Sequence, residues 1–276
     1  MTLSTPAKIN LSLRVVGRRE DGFHDIDTVV VKLPGLSDEL MTSEADSFSF
    51  TCDVPEVPAD DSNLVVRALH AFETAAGVTY RVSVHLKKVI PHGAGLGGGS
   101  SDAAMTLKAL NEIYGAPLGP DELHRIAASL GSDIPLFLMN GAARCTGRGE
   151  ILEQVPSPPA LPILLLKPSF PVATPDAYKR WQDSVELPGV TYAAQSVNGV
   201  TLLNDLERPV FQKHRFLAEM KMWLLARKEV SAAMMSGSGS TMIAVLRDPN
   251  DSARLISAAL TELDPHLWSW SGWTEG

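Results

Sequence analysis

The chain has 276 residues, of which 45% are hydrophobic and 20% charged, and its net charge is −8. That length allows two domains of ordinary size, each with a buried core. The acidic balance excludes binding to nucleic acid through a basic surface, because the densest basic run, Arg18-Arg19, is followed at once by Glu20-Asp21. An anionic ligand must therefore be held by local donors, meaning backbone N–H groups and a few placed Lys or Arg, rather than by the overall field. Cys52 and Cys145 lie far apart and outside any CxxC spacing, so neither a metal site nor a disulfide framework is expected. No secretory leader is read at the start, and the longest apolar runs, such as Leu161–Leu166, are too short to span a bilayer. A cytoplasmic protein without membrane or nucleic-acid partners is expected.

Near the start, Ala7, Ile9, Leu11 and Leu13 alternate with Lys8, Asn10, Ser12 and Arg14, which predicts a strand with one apolar face. Residues 17–22 read as a turn, and Ile26–Leu33 as the second strand of a hairpin. Asp61-Ser62-Asn63 opens a helix whose stripe is Leu64, Ala68, Leu69 and Phe72, and Gly77 stops it. Tyr80, Val82, Val84 and Leu86 alternate with Arg81, Ser83, His85 and Lys87 and predict a half-buried strand. Helices are expected over Ser101–Tyr114 and Pro120–Leu130, the second stopped by Gly131. Pro156-Ser157-Pro158-Pro159 marks the boundary between two domains, 1–155 and 156–276. Beyond it the pattern predicts a strand over Leu161–Leu166, a short helix opened by Thr174-Pro175, and helical segments near Leu202–Val210 and Phe216–Lys228. A strand over Thr241–Leu246, a helix over Ser252–Leu263 and a strand over Leu267–Trp273 complete the chain. Strands and helices interleave in both halves, which is the α+β class.

The densest motif is Pro91-His92-Gly93-Ala94-Gly95-Leu96-Gly97-Gly98-Gly99-Ser100-Ser101, between a predicted strand and a predicted helix. Glycines let the backbone approach a ligand and take positive φ, successive N–H groups form an anion nest, and the helix N-terminus adds its dipole. Ser100, Ser101 and Asp102 are good capping residues, and the hydroxyls can reach phosphate or a metal ion. The loop is not a Walker motif, which requires a Lys that is absent. Gly93, Gly95 and Gly98 do satisfy the dinucleotide spacing GxGxxG. That fingerprint follows a fully buried parallel strand, whereas the strand here alternates, and no acidic partner lies at the right distance. A plain glycine hinge is the bland alternative, but five glycines in the seven residues 93–99 are more than a hinge needs.

Pro91–Ala104 resembles the second signature of the GHMP kinases (galactokinase, homoserine kinase, mevalonate kinase, phosphomevalonate kinase). PAKINLSL with RREDGFHDIDT resembles the N-terminal signature of one branch of that family, and SGSGSTMIAV resembles the family's third signature. The three follow the family's order and span nearly the whole chain. The resemblance implies a two-domain fold, with a ribosomal protein S5 domain 2-like N-terminal domain that binds ATP and a ferredoxin-like C-terminal domain. It implies a kinase that uses ATP and Mg²⁺, a small-molecule alcohol as acceptor, and a monomer or weak homodimer. The form of the glycine loop is nearest to members acting on a cytidine diphosphate-linked methylerythritol in isoprenoid precursor biosynthesis. Homoserine or mevalonate as acceptor, and a non-catalytic nucleotide-binding homologue, are the alternatives.

Residue by residue, the resemblance places the triphosphate on Pro91, Gly93, Ala94, Gly95, Leu96, Gly97, Gly98, Gly99, Ser100 and Ser101. It makes Asp133, in Gly131-Ser132-Asp133-Ile134-Pro135, the base for the acceptor hydroxyl; read alone, Asp133 fits better as the cap of an apolar helix Ile134–Met139. It makes Lys8 the cation that activates the hydroxyl and stabilises transferred charge, with Asn10 holding substrate; read alone, both lie on a solvated strand face. It places His24 against a cytosine ring, with Phe23, where the family commonly has Tyr, and Tyr178 as stacking aromatics. Alone, His24 reads as a surface or packing residue and Tyr178 equally well as a core aromatic. Gly237, Ser238 and Gly239 would form a substrate- and phosphate-side loop, or else a tight helix-to-strand turn. Asn204-Asp205-Leu206-Glu207 also looks like a family segment, without a role. No protein ligand for the metal is assigned, although Ser100 and Ser101 are candidates.

Overall fold

The alternating start of the chain forms a long strand, β1 (Thr2–Arg18), which a turn joins to a longer one, β2 (His24–Glu44). The computed structural model describes residues 1–78 and 81–276, so Tyr80, expected to begin a strand, lies outside the described residues. Two compact units emerge. The first comprises Met1–Ala7, Leu36–His92 and Gly97–Asn140, and the second Lys8–Gly35, Gly93–Leu96 and Gly141–Gly276. β1, β2 and the glycine-rich loop each contribute to both. The Pro-rich stretch 156–159 lies inside the second unit.

In the first unit, the end of β2 pairs antiparallel with β4 (Val82–Lys87), and β4 pairs parallel with β3 (Ser49–Cys52). Helices α1 (Leu64–Ala76), α2 (Gly98–Ile113) and α3 (Pro120–Leu130) pack on one another. The start of α1 follows from Asn63, whose side chain accepts from the Val65 N–H at 2.8 Å, and its end from the left-handed Gly77. Val82, Val84 and Leu86 are buried, as alternation requires, and so are Leu69 and Phe72 of α1 and Leu107 and Leu110 of α2.

In the second unit, β2 pairs antiparallel with β5 (Ala143–Gly147), which pairs with β6 (Ile151–Gln154). On the other side of β2 lies β1, followed by β9 (Val200–Asn204), parallel to β1, and β8 (Gln195–Val197). A separate antiparallel sheet has the order β10 (Val230–Met235), β11 (Met242–Leu246), β7 (Pro162–Lys167), β12 (Trp268–Trp273). The helices of this unit are α4 (Thr174–Arg180), α5 (Glu207–Lys213), α6 (Arg215–Leu225) and α7 (Ser252–Glu262). Leu164, Leu166, Phe211, Leu217, Met220, Leu224, Met235 and Ala244 share one core. Both units are α+β, as expected.

The helix expected near Leu202–Val210 is replaced by β9 and then α5. Val200, Leu202 and Asn204 are buried while Thr201 is exposed, and pairing on both edges of β9 overrides helical propensity. β10 is an Ala- and Met-rich run that lacks a strand signature, yet it is held by five-residue pairing to β11. The second glycine loop therefore joins strand to strand, not helix to strand.

Candidate active site

The polar face of β1 is not solvated. Lys8 and Asn10 are only 5% and 4% exposed. The Lys8 ammonium donates to Asn10 Oδ1 at 2.9 Å, Asn10 Nδ2 donates to Thr28 Oγ1 at 2.7 Å, and the Thr28 hydroxyl donates to the Ser12 carbonyl at 2.5 Å. This chain of donors fixes which way the Asn10 amide points and holds the ammonium in one place. A charged amine is buried at low cost only where it is paired and hydrogen-bonded.

Two glycine loops close on that pair. The Lys8 N–H donates to the Leu96 carbonyl at 2.8 Å, which ties β1 to the first loop. The Ser236 hydroxyl donates to the Gly95 carbonyl at 3.1 Å, and the Thr241 N–H to the Ala94 carbonyl at 3.3 Å. A Cβ on Gly95, whose φ is +75°, would stand 2.5 Å from the Ser236 carbonyl oxygen. Gly95 is thus required by the second loop's backbone, a reason for glycine separate from ligand approach. A Cβ on Gly237 (φ +53°) would lie 3.3 Å from Asn10 Oδ1 and 3.8 Å from Lys8 Nζ. Within the second unit, Lys8, Asn10, residues 94–96 and residues 236–241 therefore form one continuous cluster. Ser238 is held by Thr174, with 2.7 Å between their hydroxyl oxygens.

The continuation of the first loop starts α2 earlier than expected, at Gly98. Its cap is the left-handed Gly97 and no side chain caps it, so Ser100, Ser101 and Asp102 lie inside the helix. The Ser101 hydroxyl is fully buried without a hydrogen-bond partner, at the positive end of a 16-residue helix. Such an orphaned group fits a site completed by an anion or metal ion. Asp102 accepts from Thr5 Oγ1 at 2.7 Å and from Lys88 at 2.8 Å, and Lys88 also pairs closely with the buried Asp38. Burial, opposed by Lys88, raises the Asp102 pKa to about 6, and the charge of Asp38 adds to the rise.

Asp133 lies exposed in the turn after α3. The helix that follows is a single 3-10 turn, Pro135–Leu138, whose cap position is Ile134, one residue beyond Asp133.

The aromatic residues divide. His24 is buried, with Tyr178 at 5.5 Å between ring centroids and Trp181 edge-on at 6.0 Å. Burial, and then the charge of Arg18, hold the His24 pKa below its ordinary value. Its ring is therefore neutral near pH 7, with one donor and one acceptor nitrogen. Phe23 instead is 55% exposed, and the Arg148 guanidinium stands 4.8 Å from its ring centroid. Trp181 was legible only as the residue three after Tyr178 on the same helical face. Asn204, which donates to the Met235 and Gly237 carbonyls, carried no signal beyond its family-like segment.

The chain matches the model of the GHMP kinases N terminal domain over residues 63–141 and that of the GHMP kinases C terminal over residues 194–264. It is 40% identical over 269 residues to the 4-diphosphocytidyl-2-C-methyl-D-erythritol kinase of Methylacidiphilum infernorum, covering 95% of this chain and 93% of that one. To the chloroplastic enzyme of that name from Mentha piperita it is 40% identical over 258 residues, covering 89% of this chain and 64% of the relative's length. A crystal structure of 4-(cytidine 5'-diphospho)-2C-methyl-D-erythritol kinase matches it with a TM-score of 0.81 and 33% identity, each chain covered in full at 100%. The chain belongs to the GHMP kinases, a family of ATP-dependent small-molecule kinases.

Proposed function

We propose that the protein transfers the γ-phosphoryl group of ATP to the 2-hydroxyl of 4-diphosphocytidyl-2-C-methyl-D-erythritol, giving the 2-phosphate and ADP, in isoprenoid precursor biosynthesis. The observation that carries the choice of acceptor is the buried, neutral His24 ring beside Tyr178. A nucleobase needs a stacking surface and an uncharged donor–acceptor edge, and a small aliphatic acceptor needs neither. The names of the relatives above support the same acceptor.

In this reading Asp133 takes the proton of the acceptor hydroxyl as the new O–P bond forms, and the electrons of the breaking P–O bond leave on ADP. Lys8 stabilises charge on the transferring phosphoryl group, and Asn10 holds the ammonium in place. Pro91 and residues 93–101 bind the triphosphate through backbone N–H groups and the α2 dipole. His24, Phe23 and Tyr178 bind the cytidine side, and residues 237–239 the phosphate side of the acceptor. Magnesium would accompany ATP and screen its β/γ charge. The unpartnered Ser101 hydroxyl is the group this chain would offer it; among the described residues no three His, Cys, Asp or Glu gather as a metal site.

The same reading takes 1–155 and 156–276 as the family's two domains, with the two family matches falling on either side. It places the enzyme in the cytoplasm as a monomer or weak homodimer; among the described residues no helix is long and apolar enough to cross a membrane. The test is ADP release measured with the diphosphocytidyl substrate beside homoserine and mevalonate. Turnover of the first alone is expected, and its absence overturns the assignment.

A further inference from the structure

The segment Asn204-Asp205-Leu206-Glu207 takes no part in the chemistry above, yet its side chains hold the second glycine loop from two sides. Asn204 ends β9, in parallel register with Leu13 of β1. The Asp205 N–H donates to the Leu13 carbonyl at 2.9 Å, and its carboxylate accepts the Val15 N–H at 2.9 Å. The segment is therefore fixed to the strand that carries Lys8 and Asn10.

From that footing the Asn204 amide donates to the Met235 and Gly237 carbonyls, both at 2.7 Å, and its Oδ1 accepts the Leu206 N–H at 2.9 Å. One buried side chain satisfies three backbone groups, which takes a neutral planar group with two donors and an acceptor. The Met235 N–H donates to Glu207 Oε1 at 2.8 Å. Glu207 is in turn buried against Lys221, at 2.5 Å, and Lys221 also donates to the Thr191 carbonyl at 2.5 Å. Met235 is thus clamped at both its N–H and its carbonyl, and Gly237 at its carbonyl. Gly237 lies against Lys8 and Asn10 with no room for a methyl group at ordinary contact distance from Asn10 Oδ1.

We infer, on the role proposed for Lys8, that Asn204 is a positioning residue for phosphoryl transfer. Its two donor bonds set the Gly237 backbone against Lys8 and Asn10, so that the ammonium meets the transferring group in one orientation. The hydrogen bonds of the Asn204 side chain end on Met235, Gly237 and Leu206 and not on the first loop, so the effect is expected on kcat more than on the KM for ATP.

The test uses Asn204→Asp, which keeps the size and the acceptor for Leu206 but turns an oxygen toward two carbonyls, and Asn204→Ser, which is smaller and uncharged. Each is assayed below its own melting transition, with kcat and the KM for ATP measured separately. In the folded variants kcat is expected to fall about 100-fold, the cost of an ångström-scale misplacement. The KM for ATP should stay within about threefold of the parent value. A folded variant with kcat unchanged, or with the loss confined to KM, overturns the inference. Failure of both variants to fold overturns it as well, because it assigns Asn204 to stability alone. Lys8→Ala run in parallel separates the two readings. If it keeps the parent rate, the role of Lys8 fails; if it is inactive while folded Asn204 variants turn over normally, only the positioning role fails.

Discussion

Lys8 shows how a single side chain changes meaning once its surroundings are known. In sequence it is the polar member of an alternating strand, and such positions usually face water. In the fold its ammonium is buried against Asn10 and the Gly237 backbone. No local pattern near residue 8 encodes this, because the covering chain comes from residues 236–241, more than two hundred positions away. If Lys8 neutralises the transferring group and Asp133 takes the hydroxyl proton, neither is needed to hold the nucleotide. Lys8→Ala and Asp133→Ala are each expected to lower kcat by about 10³-fold, the upper range for a lost proton-transfer or charge-stabilising group. Calorimetric titration should still show ATP binding to both. Rates near the parent's in either variant would remove that residue from the mechanism.

At the scale of elements, the parts visible in sequence were those with a complete local code. Asn63 and Gly77 bracket α1, and Pro120 and Gly131 bracket α3, as read. β5, β6 and β10 carry no clean alternation and are held by pairing instead, β5 with the distant β2 and β6, and β10 with β11. The start of α2 was misplaced for a different reason. Its serines look like caps, but the left-handed Gly97 does that job and draws Ser101 and Asp102 into the interior. The buried Asp102 carries a consequence for stability. Its folded pKa, raised to about 6 chiefly by burial, exceeds the unfolded value of 3.8. The stability this group contributes is therefore complete below pH 3.8 and is lost as pH rises through about 6. Asp102→Asn removes that loss. Denaturant unfolding at pH 4.5 and pH 7.5 should show the variant gaining on the parent at the higher pH, by on the order of 2 kcal/mol. A difference independent of pH would mean that Lys88 holds Asp102 ionised throughout.

At the scale of the whole molecule, a net charge of −8 has to be reconciled with a substrate that is itself a polyanion. The long-range field of such a protein repels ATP, and that repulsion acts over the Debye length, where salt screens it. In the function proposed above, what attracts the phosphates is local: backbone N–H groups of residues 93–101 with the N-terminus of α2, and the ammonium of Lys8. At contact distance these donors are screened little. The two contributions therefore respond to salt in opposite degree. Raising ionic strength from 20 to 200 mM shortens the Debye length from about 20 Å to about 7 Å. It should weaken the repulsion while leaving the cradle intact. The expected result is that kcat/KM for magnesium-bound ATP holds steady or rises by about twofold, measured by stopped-flow or initial rates at fixed pH. A protein that gathered ATP through a basic surface would show the reverse, a steep fall with salt. Such a fall here would mean that a positive field outweighs the net charge around the nucleotide, and that attraction by local donors alone is not how this chain binds its triphosphate.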